Sequence, residues 1–220
     1  MSAPRGVYET ETDPIRVKIC GLCRMEDVSY VNDCLPDYAG FVFAKSRRQV
    51  TDRQAKEMRG SLDPHIRTVG VFVNEEIERV IRLCQRQIID LIQLHGDEDG
   101  AYLERLSAHT DKPIVRAVRV QSAAQILSVQ EQPCDYLLLD TYIPGQYGGG
   151  GLGFDTSLIP PLAKPWFLAG GLDPENIGDK LTECARCHPF GVDVSSGVET
   201  DGKKDPEKIR AFIKNVRGSK

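Results

Sequence analysis

Residues 190–199 read Phe190-Gly191-Val192-Asp193-Val194-Ser195-Ser196-Gly197-Val198-Glu199. A short apolar run ends at Val194, breaks into Ser-Ser-Gly, then resumes. This is the pattern of a buried strand that hands over to a tight turn and the first residues of a helix. Two hydroxyls and a glycine suit such a junction, because glycine lets backbone approach a ligand closely. Free N–H groups at a helix start, with the positive end of its dipole, form an anion site that favours phosphate. The same residues also read as a helix N-cap without a ligand.

An earlier stretch of the same form tips the balance. Pro165-Trp166-Phe167-Leu168-Ala169-Gly170-Gly171 is an apolar run ending in a glycine pair, followed by Leu172-Asp173-Pro174. Asp173 fits an N-cap, with Pro174 at the first helical position. Two consecutive glycine-rich junctions at strand carboxyl ends point to one shared phosphate pocket. In an eight-stranded parallel barrel such a pocket lies after strands seven and eight. Six earlier strand–helix units are therefore expected upstream.

The upstream chain supplies them. Apolar runs or alternation predict strands at 15–19, 38–43, 66–73, 88–94, 113–118 and 135–139, ahead of 166–169 and 191–194. Helical patterns fall at 25–35, from a Thr51 cap to 59, from an Asn74 cap over 75–87, and at 98–108, 123–129 and 205–216. Another helix closes near residue 187, before the last strand. Residues 148–153, rich in glycine, form a mobile loop, and 154–159 follow it. The expected fold class is α/β: a single-domain (β/α)8 TIM barrel over 15–220 after a flexible N-terminal segment, 1–14. A doubly wound open sheet is the alternative, weakened because no G-x-G-x-x-G turn follows the first strand.

Composition sets the class. The chain has 220 residues, 40% hydrophobic and 27% charged, with a net charge of -4. Such a balance is ordinary for a soluble protein and argues against nucleic acid or an anionic membrane as partner. Without a basic and apolar leader, a cytoplasmic location is expected. Among the seven cysteines two pairs have C-x-x-C spacing, Cys20/Cys23 and Cys184/Cys187. They lie too far apart in sequence for an ordinary zinc ribbon. Cys184-Ala-Arg-Cys187-His188 also spells a haem-attachment pattern, but reads more simply as a helix end. Reduced thiols are expected, not a disulfide framework.

In a barrel the site gathers at the carboxyl ends of the strands. Those ends carry Cys20, the basic loop 45–48, His95, Asp140, the Gly170-Gly171 turn, and Asp193 with Ser195-Ser196. The set offers a thiol base, a carboxylic acid, an arginine clamp and a phosphate grip. It lacks a metal-binding cluster, and no mid-barrel strand ends in a lysine suited to Schiff-base chemistry. Cys20 would need a nearby positive charge to populate its thiolate. Asp140 would need to hold a proton near neutrality, which burial favours. Both also have plain structural readings, as a small buried residue and as a turn acid.

Several segments in order carry a family pattern: Val17-Lys18-Ile19-Cys20-Gly21, Gly40-Phe41-Val42-Phe43 with Lys45-Ser46-Arg47-Arg48, Val69-Gly70-Val71-Phe72-Val73-Asn74, Gln93-Leu94-His95-Gly96, Leu138-Leu139-Asp140-Thr141, Ala169-Gly170-Gly171-Leu172 and the stretch 192–199. From Val17 to the C-terminal helix, the chain resembles the phosphoribosylanthranilate isomerase family of the tryptophan branch. The resemblance implies an Amadori rearrangement of an aminoaldose to an aminoketose, without metal or cofactor. By position, Asp140 matches the general acid that protonates the ribose ring oxygen. Cys20 matches the base that removes the C2 proton. Arg48 matches the residue that holds the anthranilate carboxylate, and Arg47, next to it in an extended loop, should point away. Gly170, Gly171, Ser195 and Ser196 would hold the substrate phosphate. His95 and Asp193 match family positions with supporting roles in binding. The loop after Asp140 departs from the family's usual Ser or Thr between glycines, since Gly150, Leu152 and Gly153 stand there. A small phosphosugar is the implied partner, with no obligate protein partner.

Overall fold

Eight short strands pair in chain order and then close on themselves. The computed structural model describes residues 14–141, 156–185 and 187–218. Its strands are β1 (Arg16–Cys20), β2 (Tyr38–Val42), β3 (Arg67–Phe72), β4 (Leu91–Leu94), β5 (Ile114–Val120), β6 (Tyr136–Thr141), β7 (Trp166–Leu168) and β8 (Gly191–Val194). All pair in parallel, and β8 returns to β1 with Lys18 opposite Asp193. That closing pair excludes an open doubly wound sheet. The helices are α1 (Met25–Cys34), α2 (Asp52–Ser61), α3 (Ile77–Gln85), α4 (Gly100–Ser107), α5 (Ala123–Gln130), α6 (Ile177–Glu183) and α7 (Pro206–Gly218).

The two-residue period of each strand divides its side chains between two cores. One set, including Val17, Ile19, Ala39, Phe41, Leu137 and Leu139, packs outward with the helices. The other, including Tyr38, Val69, Leu91, Val115, Tyr136, Leu138 and Phe167, forms the barrel interior. By the same alternation Lys18 and Cys20 share the inner face of β1, and Asp140 continues the row of Tyr136 and Leu138. Buried apolar side chains fill the interior below, and polar side chains collect at the carboxyl end.

Several boundaries differ from the sequence expectation for identifiable reasons. Asn74 does not cap α3. It adopts a left-handed backbone (φ 50°), its Oδ1 accepts from Asp97 N, and Glu76 occupies the N-cap. The fourth strand starts at Leu91, not residue 88, because Gln87 is left-handed (φ 55°) and the chain is still turning. Asp173 caps a turn one step early: it accepts from Asn176 N at 2.8 Å, and α6 begins at Ile177. After Ser195 a single 3-10 turn, Ser196–Val198, replaces the expected helix. A small hairpin, β9 (Glu199–Thr200) with β10 (Lys203–Lys204), then leads into α7. Thr51 does cap α2, exchanging hydrogen bonds with Gln54.

Residues 1–13 and the glycine-rich run 148–153 lie outside the described residues. Of the 154–159 segment, residues 154 and 155 also lie outside the described residues, and Thr156–Leu158 forms a 3-10 turn. Among the described residues, no helix is long and apolar enough to cross a membrane. All seven cysteines are free thiols.

Candidate active site

A cavity of about 390 Å³ opens at the carboxyl end of the barrel. All nine residues singled out from the sequence line it: Cys20, Arg48, His95, Asp140, Gly170, Gly171, Asp193, Ser195 and Ser196. They come from β1, the β2–α2 loop, and the ends of β4, β6, β7 and β8, so closing the barrel is what brings them together. Its size is that of a small-metabolite site.

The two glycine-rich junctions abut. A Cβ at Gly197 would collide with the carbonyl oxygen of Leu172, so the β8 turn can press against the β7 turn only as glycine. Gly170 and Gly171 are both left-handed, at φ 86° and 64°. A Cβ on Gly170 would also fall 2.6 Å from Thr141 N and 2.8 Å from Asp140 Oδ1. The backbone at Gly170 thus passes directly beside the Asp140 carboxyl. On the opposite side Ser195 Oγ donates to Cys20 O at 3.0 Å, tying the β8 turn to the end of β1. Glycine backbone and serine hydroxyls with this access suit an anionic group.

Asp140 is nearly buried, at 7% side-chain exposure. Its Oδ1 accepts from Thr141 N at 2.8 Å, and Oδ2 lies 3.1 Å from His95 Nε2. Gln93 Nε2 lies 3.0 Å from His95 Nδ1. With that amide donating to Nδ1, the imidazole hydrogen sits on Nε2 and faces the carboxylate. A chain of Gln93, His95 and Asp140 therefore runs along one wall. Among the described residues the buried Gln93 Oε1 has no hydrogen-bond partner.

Cys20 lines the same cavity. Burial pushes its thiol above the ordinary value, and the positive charges of Lys18 and Lys204 pull against that. Lys18 is itself buried, at 2% exposure, with Nζ 2.8 Å from Asp193 Oδ1. Burial alone would lower this ammonium, but Asp193 and the Cys20 sulfur hold it above its usual range.

As the extended loop predicts, Arg48 lines the cavity and Arg47 does not. What the sequence does not show is that both arginines converge on Glu199. Arg48 meets it through Nε and Nη2 at 2.7 and 3.0 Å, and Arg47 Nη2 lies 2.6 Å away. Lys204 adds a third cation at 2.9 Å. The two arginines differ in exposure. Arg48 lines the cavity at 16% side-chain exposure, whereas Arg47 is 56% exposed and does not line it. Burial would push the Glu199 carboxyl up, yet Arg48 and Lys204 hold it below its usual range.

Four polar residues that organise the site were not singled out from the sequence: Lys18, Gln93, Glu199 and Lys204. For two of them a signal existed. Lys18 and Gln93 each stand two positions before a strand-end site residue, hence on the same inward face. Glu199 and Lys204 depend on the hairpin and could not be anticipated from strand pattern. Among the described residues no cluster of three His, Cys, Asp or Glu side chains could hold a metal ion.

The fold and this arrangement define a (β/α)8-barrel enzyme with its site at the carboxyl face of the strands. The model of the N-(5'-phosphoribosyl)anthranilate isomerase family matches residues 17–215. The isomerase of that name from Lachnoclostridium phytofermentans is 43% identical, covering 90% of this chain and 96% of its own. The crystal structure of phosphoribosyl anthranilate isomerase from Thermus thermophilus superposes with a TM-score of 0.81 at 31% identity, covering 94% of this chain and 100% of its own. A further structure, of this isomerase in complex with reduced 1-(o-carboxyphenylamino)-1-deoxyribulose 5-phosphate, gives 0.74 at 32% identity, covering 93% and 99%. The chain belongs to the N-(5'-phosphoribosyl)anthranilate isomerase family, enzymes of tryptophan biosynthesis.

Proposed function

We propose that this chain converts N-(5'-phosphoribosyl)anthranilate to 1-(2-carboxyphenylamino)-1-deoxyribulose 5-phosphate, with Asp140 as general acid and Cys20 as general base. The observation that carries the assignment is that thiol and carboxyl wall one cavity beside two glycine-rich turns. A product analogue bound to a related isomerase supports the substrate class.

The chemistry needs two proton transfers at different atoms. Asp140 gives a proton to the ribose ring oxygen as the C1–O bond breaks, and the amine lone pair completes a Schiff base. Cys20 then takes the proton from C2, and the electrons move to form the enol, which tautomerises to the ketone. His95 Nε2, 3.1 Å from Asp140 Oδ2, holds that carboxyl in place for transfer to the ring oxygen. Gly170, Gly171, Ser195 and Ser196 hold the phosphate largely through N–H groups, and Asp193 anchors Lys18 beside the sugar. Arg48 has both a charge and a fork suited to the anthranilate carboxylate.

The test is a fluorescence assay with substrate generated in situ from anthranilate. Loss of the phosphoribosylanthranilate fluorescence on adding enzyme is the expected result. An enzyme that leaves this substrate unchanged but is folded would remove the reading.

A further inference from the structure

A buried ion pair, Lys18–Asp193, sits in the barrel interior. It joins the first and last strands at the point where the barrel closes, and the two side chains are only 2% and 9% exposed. Buried pairs of this kind can often be replaced by apolar residues without loss of stability. Closure of the barrel therefore does not explain the pair. Its position does: a Cβ on Gly40 of β2 would meet Cys20 Sγ at 2.8 Å and Lys18 Nζ at 3.2 Å. Sulfur and ammonium crowd the same point, and a glycine opposite makes the room.

We infer that Lys18 is a positioning residue for the thiol: a cation fixed by Asp193 that lets Cys20 carry negative charge inside the barrel. This rests on the proposed base role of Cys20. A buried sulfur disfavours its anion, so a base at this site needs a compensating charge. As Cys20 thiolate takes the C2 proton it becomes neutral thiol, while Lys18 keeps all three of its protons and remains paired. Lys18 is suited to this because its ammonium is held charged by Asp193.

The other groups around the sulfur are accounted for. Asp193 on β8 is the anion of the pair and opposes thiolate formation less strongly than Lys18 favours it. Lys204 on β10 and Arg48 on the β2–α2 loop are cations, but Glu199 binds both. On β2, Tyr38 stands opposite Lys18, and burial pushes its phenol up to about 12, leaving it neutral. His95 and Asp140 line the same cavity as the sulfur. Lys18 is thus the cation that crowds the same point as the sulfur, and among the described residues its counterion Asp193 makes no other ion pair.

Iodoacetamide alkylation of the full chain, read at the Cys20 peptide by mass spectrometry across the thiol titration range, measures this directly. In Lys18→Gln the apparent Cys20 pKa should rise by about 1 unit or more, leaving roughly tenfold less thiolate at a fixed lower pH. In Lys18→Met/Asp193→Asn, which leaves no orphaned charge, it should still rise. Turnover should fall with the thiolate while KM changes less than kcat. A smaller rise in folded Lys18→Gln, or no rise in the double variant, overturns the inference; if Lys18→Gln does not fold, the double variant decides. Alkylation is read without turnover, so failure here leaves the base assignment of Cys20 standing. Conversely, a fully active Cys20→Ser enzyme would remove that assignment without touching the alkylation result.

Discussion

Arg48 and Glu199 meet edge to edge, with Nε and Nη2 of the guanidinium 2.7 and 3.0 Å from the two carboxylate oxygens. A fork held this way has two of its donor nitrogens committed and its orientation fixed. The guanidinium edge left over is the one available to a ligand in the cavity. Glu199→Gln should therefore loosen Arg48 and raise KM more than it lowers kcat. It also leaves Lys204 Nζ, at 1% exposure, without its counterion. Breaking such a buried pair costs about 3 kcal/mol, so a clear drop in melting temperature should accompany it. An unchanged KM in the folded variant would show that Glu199 does not set the Arg48 geometry.

Arg47 and Arg48 share that carboxylate but not the cavity. Arg48→Ala should raise KM at least about tenfold, the cost of losing a charge-assisted contact to a carboxylate. Arg47→Ala removes an exposed partner of Glu199 and should change KM less than about threefold. Steady-state kinetics of both variants, side by side, separates them; equal effects would undo the choice of Arg48.

Gln93 sets the hydrogen placement on His95 if its amide donates to Nδ1. Nitrogen chemical shifts of the His95 imidazole should then report the Nε2–H tautomer in the wild type. Gln93→Leu should disturb that tautomer and lower kcat about tenfold with little change in KM, because the carboxyl it orients is lost as a proton donor. An Nδ1–H tautomer in the wild-type spectrum would contradict the placement.

Acid should weaken the protein in part through Glu199. Its folded carboxyl titrates below the ordinary range, so its contribution is fully present above the unfolded value, about 4.3, and is lost as pH falls below that toward the folded value. Denaturant unfolding as a function of pH should show a steeper loss of stability in that window for wild type than for Glu199→Gln. Parallel curves would mean the carboxylate carries no net stability.

Gly170→Ala tests the close approach at the β7 turn. The backbone there is left-handed at φ 86°, and the added carbon would fall against Thr141 and Asp140. Strain of this kind costs about 1–3 kcal/mol before the clash is relieved, and relief must move the acid. Both melting temperature and kcat should fall. A variant with wild-type kcat would show that Asp140 tolerates displacement.

The barrel was legible because its signals are local. Glycine pairs at Gly170-Gly171 and the Ser195-Ser196-Gly197 turn mark strand ends by chemistry that a short window can hold, and β8 falls at the residues its pattern predicts. Boundaries slipped where distant contacts override local preference. Asn74 reads as a cap, but the β4–α4 loop takes its side chain instead. The arginine pair shows the same limit from another direction. Alternation along an extended loop predicts that Arg48 and not Arg47 lines the cavity, as it does, but not that a carboxylate about 150 positions later gathers both. Lys18 was visible as a letter in a motif, but not as the partner of Asp193, because that contact exists only once the first and last strands pair.

The central claim is that one thiol and one carboxyl group carry the two proton transfers. It is tested most directly by kcat of Cys20→Ser and Asp140→Asn on phosphoribosylanthranilate, each variant first shown to be folded. Each should lose at least about 10²-fold in kcat, as expected for removal of a positioned general acid or base. Near wild-type turnover by either one would contradict the account.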